Sequence, residues 1–273
     1  MASKPTPEPS SKPETHSPAP LFDVAGMHVV VTGGTRGIGF MIAKGFVDAG
    51  AHVLIAARKA DQLAAAAAEL GGVPTVVADL STAAGARALA AEVLEWSRSL
   101  DVLVNNAGAT WGAPIADFPE DGFDKVIDTN VKGPFYLAAS LLPALRKAAT
   151  AENPARIINI GSVDGIRPPV LESYPYSASK AAIHQLTHHL AAHLAREHIT
   201  VNAIAPGPFE SKMMAFALGD DAMRAAVAGS VPLGRIGRPD DMAGAAIFLA
   251  SRAGSYLTGA VIPVDGGIVG ASS

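Results

Sequence analysis

Tyr176 and Lys180 lie four residues apart in the stretch Tyr174-Pro175-Tyr176-Ser177-Ala178-Ser179-Lys180. A helix brings both onto one face, and an alanine- and leucine-rich pattern continues that helix to about His198. An unperturbed phenol titrates near pH ~10, so it is a poor proton carrier at neutral pH. A lysine ammonium one turn away favours the phenolate and draws the tyrosine towards working range. The pair alone is weak evidence, since many such pairs are ordinary surface contacts. Whether it does proton-transfer chemistry depends on the rest of the chain.

A second chemistry sits near the start. Thr32-Gly33-Gly34-Thr35-Arg36-Gly37-Ile38-Gly39 follows a strand pattern and opens a helical one, the context that makes a glycine pattern meaningful. Gly33 permits the tight turn, Gly37 lets the backbone approach a pyrophosphate, and Gly39 lets helix and strand pack closely. Thr35 and Ile38 belong to the same cofactor-binding turn. A merely tight strand-to-helix turn is the alternative, and position and spacing favour dinucleotide binding. An NAD site puts an acid roughly 20 residues past the glycines to accept from the ribose 2′-OH. Here that strand ends Ala57-Arg58, and Arg36 stands in the glycine turn. Two guanidiniums suit a 2′-phosphate, so NADP(H) is the expected cofactor. Two solvated arginines, with Asp61 as the missing acid, are the competing reading.

Further candidates follow the later strands. Asp79-Leu80 could take an adenine amino group, or Asp79 could cap the helix that starts near Ser81–Thr82. Asn105-Asn106-Ala107-Gly108 ends the fourth strand, where open parallel sheets bind ligands, and Asn106 to Gly108 are cofactor-binding candidates. A plain turn would use asparagines as well. Asn130 lies inside a helical pattern, a costly place for it. Pro134, four residues on, has no N–H for the Asn130 carbonyl, which predicts a kink that frees this group for a water or a side chain. A harmless kink is the alternative. Ser162 follows the fifth strand and points its hydroxyl to the same edge, although most serines there only form turns.

These residues need a frame. Short β-branched runs read as strands at Val29–Thr32, His52–Ala56, Thr75–Ala78, Val102–Val104, Arg156–Ile160, Thr200–Ile204 and Val261–Val264. Helical patterns fill the gaps at Gly37–Ala49, Ala60–Leu70, Thr82–Ser97, Gly122–Ala149, Tyr176–Glu197 and Asp240–Ala250. That alternation predicts one doubly wound α/β Rossmann domain over residues 21–273, a seven-stranded parallel sheet with helices on both faces. Residues 1–20, rich in proline, read as a disordered tail.

The chain has 273 residues, 49% hydrophobic and 17% charged, with a net charge of -4 and no cysteine. The charge gives no electrostatic argument for nucleic acid. The lack of cysteine excludes disulfides, thiolate metal sites and a cysteine nucleophile, and it fits a cytoplasmic location. The apolar runs are too short to span a bilayer, so no membrane partner is expected.

In their order and spacing, Thr-Gly-x-x-x-Gly-x-Gly, Asn-Asn-Ala-Gly, Asn130, Ser162 and Tyr176-x-x-x-Lys180, followed by Pro206-Gly207 and Asp265-Gly266-Gly267, resemble the short-chain dehydrogenase/reductase family over about Leu21 to Gly267. Asn105–Gly112 and Glu152–Arg156 look most like bacterial NADPH-dependent 3-oxoacyl reductases, in the branch associated with rhamnolipid synthesis. The resemblance implies Tyr176 as acid and base, and Lys180 as holder of the nicotinamide ribose. Ser162 would bond the substrate oxygen, Asn130 would anchor a water behind Lys180, and Pro206, Gly207 and Ser211 would sit near the carboxamide. It implies a ketone or alcohol substrate, 3-oxoacyl thioesters first, with steroids, sugars and small cyclic ketones as alternatives. A non-catalytic NADP(H) sensor on the same fold is the remaining one.

Trp111, the stretch 164–174 and the segment Phe209–Leu218 are the expected substrate walls. The last carries Met213, Met214 and Phe216 within a lid near 207–235, though a buried core helix would look similar. Arg146, Lys147, Arg156 and Arg167 could dock an acidic acyl carrier protein, or be scattered surface charge. His184 and His188 have metal-compatible spacing without a third ligand, so packing or interface roles are expected and no metal is assigned. The family pairs the Tyr176 helix and the Asn130 helix across a two-fold axis, which implies a homodimer or homotetramer.

Overall fold

A computed structural model describes residues 21–210 and 220–271. Seven strands are β1 (His28–Thr32), β2 (His52–Ala57), β3 (Thr75–Val77), β4 (Val102–Asn105), β5 (Ala155–Ile160), β6 (Ile199–Pro206) and β7 (Val261–Val264). They form one sheet in the order β3-β2-β1-β4-β5-β6-β7, and each neighbouring pair runs parallel. The order reverses between β1 and β4, which opens a crevice at the carboxyl edge there.

Eight α-helices are α1 (Gly37–Asp48), α2 (Ala60–Glu69), α3 (Ala83–Trp96), α4 (Glu120–Ile127), α5 (Gly133–Ala148), α6 (Tyr174–Leu194), α7 (Asp221–Gly229) and α8 (Pro239–Ala250). Strand alternation divides the core. Val29 and Val31 face Ile42 and Phe46 of α1, Leu63 of α2 and Met242 of α8. Val30 faces Leu89 and Val93 of α3, Leu137 and Leu141 of α5, and Ala191 of α6. Burial on both faces explains why β1 and β5 read as nearly unbroken Val and Ile runs. Each fully buried leucine or isoleucine contributes about 1.5–3 kcal/mol relative to exposure.

The segment expected as one helix over 122–149 is in two pieces. Residues Asp128–Lys132 form a π-helical turn between α4 and α5. The reason is Pro134, which cannot supply an N–H to the Asn130 carbonyl. Leu80 also shapes this region, since a Cβ on Gly133 would lie 2.4 Å from the Leu80 carbonyl oxygen.

The segment 207–235 leaves the sheet through Phe209, which is buried and bridges to Gly237. A Cβ on Gly237 would lie 2.2 Å from the Phe209 ring, so this glycine makes room for the anchor. In contrast, α7 buries none of its residues. Ser211, Met213, Met214, Phe216 and the tail 1–20 lie outside the described residues. Among the described residues, no helix is long and apolar enough to cross a membrane.

Candidate active site

The remaining candidates collect at the carboxyl edge of the sheet, beside the crevice between β1 and β4. Ser162 caps a short 3-10 turn after β5, its Oγ accepting from the Asp164 amide at 3.1 Å. The same side chain hydrogen-bonds the Tyr176 phenol. Lys180 is buried at 6% exposure. Its Nζ donates to the Ile160 carbonyl at 2.7 Å and stands 5.5 Å from the centre of the Tyr176 ring. Glycines let this group assemble: a Cβ on Gly165 would lie 2.6 Å from the Lys180 carbonyl carbon.

The electrostatics differ from the expectation for this pair. Burial pushes the Tyr176 phenol up to about 12, opposed by its bond to Ser162 and reinforced by the negative charge of Asp164. Burial also brings the Lys180 ammonium down to about 8, partly opposed by Asp164. Lys180 points at a carbonyl rather than at the phenol oxygen, so dehydration dominates and the expected lowering of Tyr176 is absent in the chain by itself.

Asn130 is buried in the π turn. Its Oδ1 accepts from the Ala109 amide at 2.7 Å, and its Nδ2 donates to the Ala109 carbonyl at 2.9 Å and to Ser179 Oγ at 2.9 Å. Ser179 in turn donates to the Tyr176 carbonyl at 2.7 Å. The side chain therefore clamps the loop after β4 to α6.

The glycine turn is equally crowded. A Cβ on Gly39 would lie 2.3 Å from both Asn106 Nδ2 and the Gly33 carbonyl oxygen. Asn106 spends that amide on the Thr32 and Gly33 carbonyls, at 2.8 and 3.1 Å, so it braces the turn. Asn105 points down to Asn159 at 2.9 Å and away from the crevice. Gly37 has φ +54°, Thr35 and Ile38 are half-buried, and α1 starts at Arg36 with no side-chain cap and no acid in its first turn. Its first N–H groups are thus open to an anion. Arg36 and Arg58 are both exposed beyond β2, Arg36 reaching Gln62 at 3.3 Å. An uncapped, glycine-lined helix start with two guanidiniums beside it fits a dinucleotide that carries an extra phosphate.

Asp79 does not cap α3. Thr82 does so, accepting from Gly85 at 3.0 Å, while Asp79 accepts from the Ser81 amide at 3.0 Å. That bond holds its carboxyl below the usual range. Leu80 is buried, and Ala107 and Gly108 continue the loop that Asn130 holds, with a Cβ on Gly108 falling 3.3 Å from Asn130 Oδ1. Pro206 ends β6, and a Cβ on Gly207 would lie 2.8 Å from the Asp265 Cα.

Of the expected walls, Trp111 packs on Gly122 under Lys125, 5.3 Å from its ring. The stretch 164–174 encloses a cavity of about 370–470 Å³ in size class, 470 Å³ by volume, with Ile166, Leu171 and Ala178 on its walls. The carrier-docking quartet fails in two places. Arg156 is 1% exposed and bonds Asn153 at 2.6 Å, and Arg146 is held by Glu197. His184 is buried while His188 is exposed. Thr32, Ser179 and His184 join the site without having been assigned to it. Thr32 Oγ1 accepts from the Asn106 and Ala107 amides, each at 3.0 Å. Their partners are distant in sequence, and only the intervening Ser in Tyr-x-x-Ser-Lys could have hinted at one of them.

A family model described as enoyl-(acyl carrier protein) reductase matches residues 33–269. The rhamnolipids biosynthesis 3-oxoacyl-[acyl-carrier-protein] reductase of Pseudomonas aeruginosa is 51% identical over 251 residues, which cover 91% of this chain and 98% of that protein. A gluconate 5-dehydrogenase of Gluconobacter oxydans is 33% identical, covering 91% of this chain and 96% of that protein. Among solved structures, the Pseudomonas aeruginosa RhlG/NADP active-site complex superposes with a TM-score of 0.89 at 50% identity, covering 92% of this chain and 99% of that one.

Proposed function

The chain belongs to the short-chain dehydrogenase/reductase family, and on that premise we propose that it reduces the 3-ketone of an acyl thioester with NADPH. It is an NADP-dependent enzyme of this family. The observation that carries the reading is the Ser162–Tyr176 hydroxyl pair backed by the buried Lys180. The acyl part rests on the 51% identical reductase, with apolar walls at Ile166 and Leu171 in support.

When bound, NADPH supplies the hydride that reaches the ketone carbon. The chain does the rest. Ser162 Oγ donates to the ketone oxygen as negative charge grows there. The Tyr176 O–H bond breaks, its proton completes the alcohol, and the ammonium of Lys180 stabilises the phenolate left behind. A phenol near 12 stays protonated at neutral pH, so the resting chain is armed as an acid, in the direction of reduction. Asn130 would complete the quartet by holding a water in its π turn for return of the proton. Gly33, Thr35, Arg36, Gly37, Ile38 and Gly39 would hold the diphosphate, and Arg36 with Arg58 the 2′-phosphate. Asp79 and Leu80 would face the adenine, Asn106, Ala107, Gly108 and Lys180 the ribose, and Pro206, Gly207 and Ser211 the carboxamide. A homodimer or homotetramer is part of the same proposal.

The test is loss of NADPH absorbance against 3-oxoacyl thioesters, 3-oxo esters, cyclic diketones, steroids and sugar acids. Thioester turnover is expected, with Tyr176→Phe lowering kcat by about 10²–10⁴. Turnover confined to sugar acids would keep the chemistry and remove the acyl assignment. Tight NADPH binding without turnover of any ketone would overturn the reading.

A further inference from the structure

His184 follows Lys180 by one further helical turn, which extends the spacing of Tyr176 and Lys180 along the same face of α6. Its ring is 7% exposed and lies flat against the chain just before Ser162. A Cβ on Gly161 would meet its Nε2 at 2.0 Å and its Cδ2 at 2.6 Å, so only glycine fits there. The ring also hydrogen-bonds the backbone of Gly165, at the far end of the same turn. Nε2 is buried with no partner, which leaves the other nitrogen, Nδ1, as the donor to the Gly165 carbonyl.

Filling space does not explain this choice. A buried ring nitrogen without a partner is costly, and leucine would fill the volume without that cost. The site spends its polarity on one bond, and that bond lands on the turn carrying Ser162. The facing charged groups are Lys180 and His188 on α6, and both disfavour a charged imidazole. Burial acts in the same direction, so the ring is neutral at working pH, with its proton on Nδ1.

We propose that His184 is a positioning residue: wedged against Gly161 and bonded to Gly165, it fixes the Ser162 turn on α6 so that Ser162 and Tyr176 address one substrate oxygen. This rests on the reductase reading, and the experiments below separate the two. Asparagine can place its amide near the Nδ1 position, whereas glutamine places its own near Nε2. Both variants are polar and of similar size, so folding does not distinguish them.

His184→Asn should keep kcat within about threefold, while His184→Gln should lose on the order of a hundredfold, the scale set by misplacing a catalytic group by 1 Å. KM for NADPH should stay the same in both, because the nucleotide turn is untouched. In a Ser162→Ala background the glutamine penalty should vanish, since the residue through which it acts is gone. Equal kcat in the two variants, or a penalty that persists without Ser162, would overturn the proposal. Crystal structures of the two variants give a readout without turnover. The 161–165 turn should move only in His184→Gln, and an unmoved turn there overturns the idea even if no ketone is ever reduced.

Discussion

Lys180 works under tension between burial and charge. Its ammonium is brought down to about 8 by burial, so it is charged below that pH and neutral above it. If the charged form supports Tyr176, kcat/KM for ketone reduction should be flat through neutral pH and fall above about 8. Tyr176 itself, near 12, should not limit the profile. The same shift makes a stability prediction. A lysine whose folded pKa lies below its unfolded value of ~10.4 destabilises the fold fully below about pH 8. That penalty is relieved as pH rises towards the unfolded value. Lys180→Met should therefore raise Tm at neutral pH by roughly 5 °C or more while abolishing turnover, and calorimetry beside the kinetic assay checks both. The sequence made the Tyr-Lys pair visible through its spacing alone. It could not reveal the direction of the phenol's shift, because that depends on dehydration and on Lys180 turning to the Ile160 carbonyl.

At the level of elements, the glycine turn and the π turn set the geometry. Exposed Arg36 and Arg58 flank a β2 end without an acid. Arg36→Ala combined with Arg58→Ala should lower the NADPH-to-NADH ratio of kcat/KM by at least about tenfold, as expected for losing two guanidinium contacts to one phosphate. An unchanged ratio would remove the 2′-phosphate assignment. Asn130→Ala deletes the bonds to Ala109 and Ser179 and should cost about 2–4 kcal/mol in chemical denaturation, a sum over buried hydrogen bonds. Strands such as β1 and β5 were legible because a strand buried on both faces must be apolar throughout. The break in the helix was legible from Pro134, a local cause. Ser179 as the partner of Asn130 was not, since their contact joins residues 49 apart in the chain. The same holds for Arg156, whose burial beside Ser251 follows from the packing of α8 against the sheet.

The molecule as a whole has its apolar surplus in one region. Phe123, Phe135 and Tyr136 on α4 and α5 are 43%, 41% and 38% exposed, on the helices that flank the π turn. A self-association surface accounts for aromatics left in water. The wild type should sediment as a dimer or tetramer at micromolar concentration, and Phe135→Glu with Tyr136→Glu should shift it to monomer. A wild-type monomer would refute the assembly.

The chain enters the fold at Leu21, whose carbonyl accepts from the Ala253 amide at 3.0 Å, and then climbs into β1 from its amino end. The catalytic crevice lies at the opposite edge. A molecule grafted by its first residue to a bead, an electrode or another enzyme would therefore hold its reacting groups outward. Substrates too large to pass between the protein and its support would still reach them.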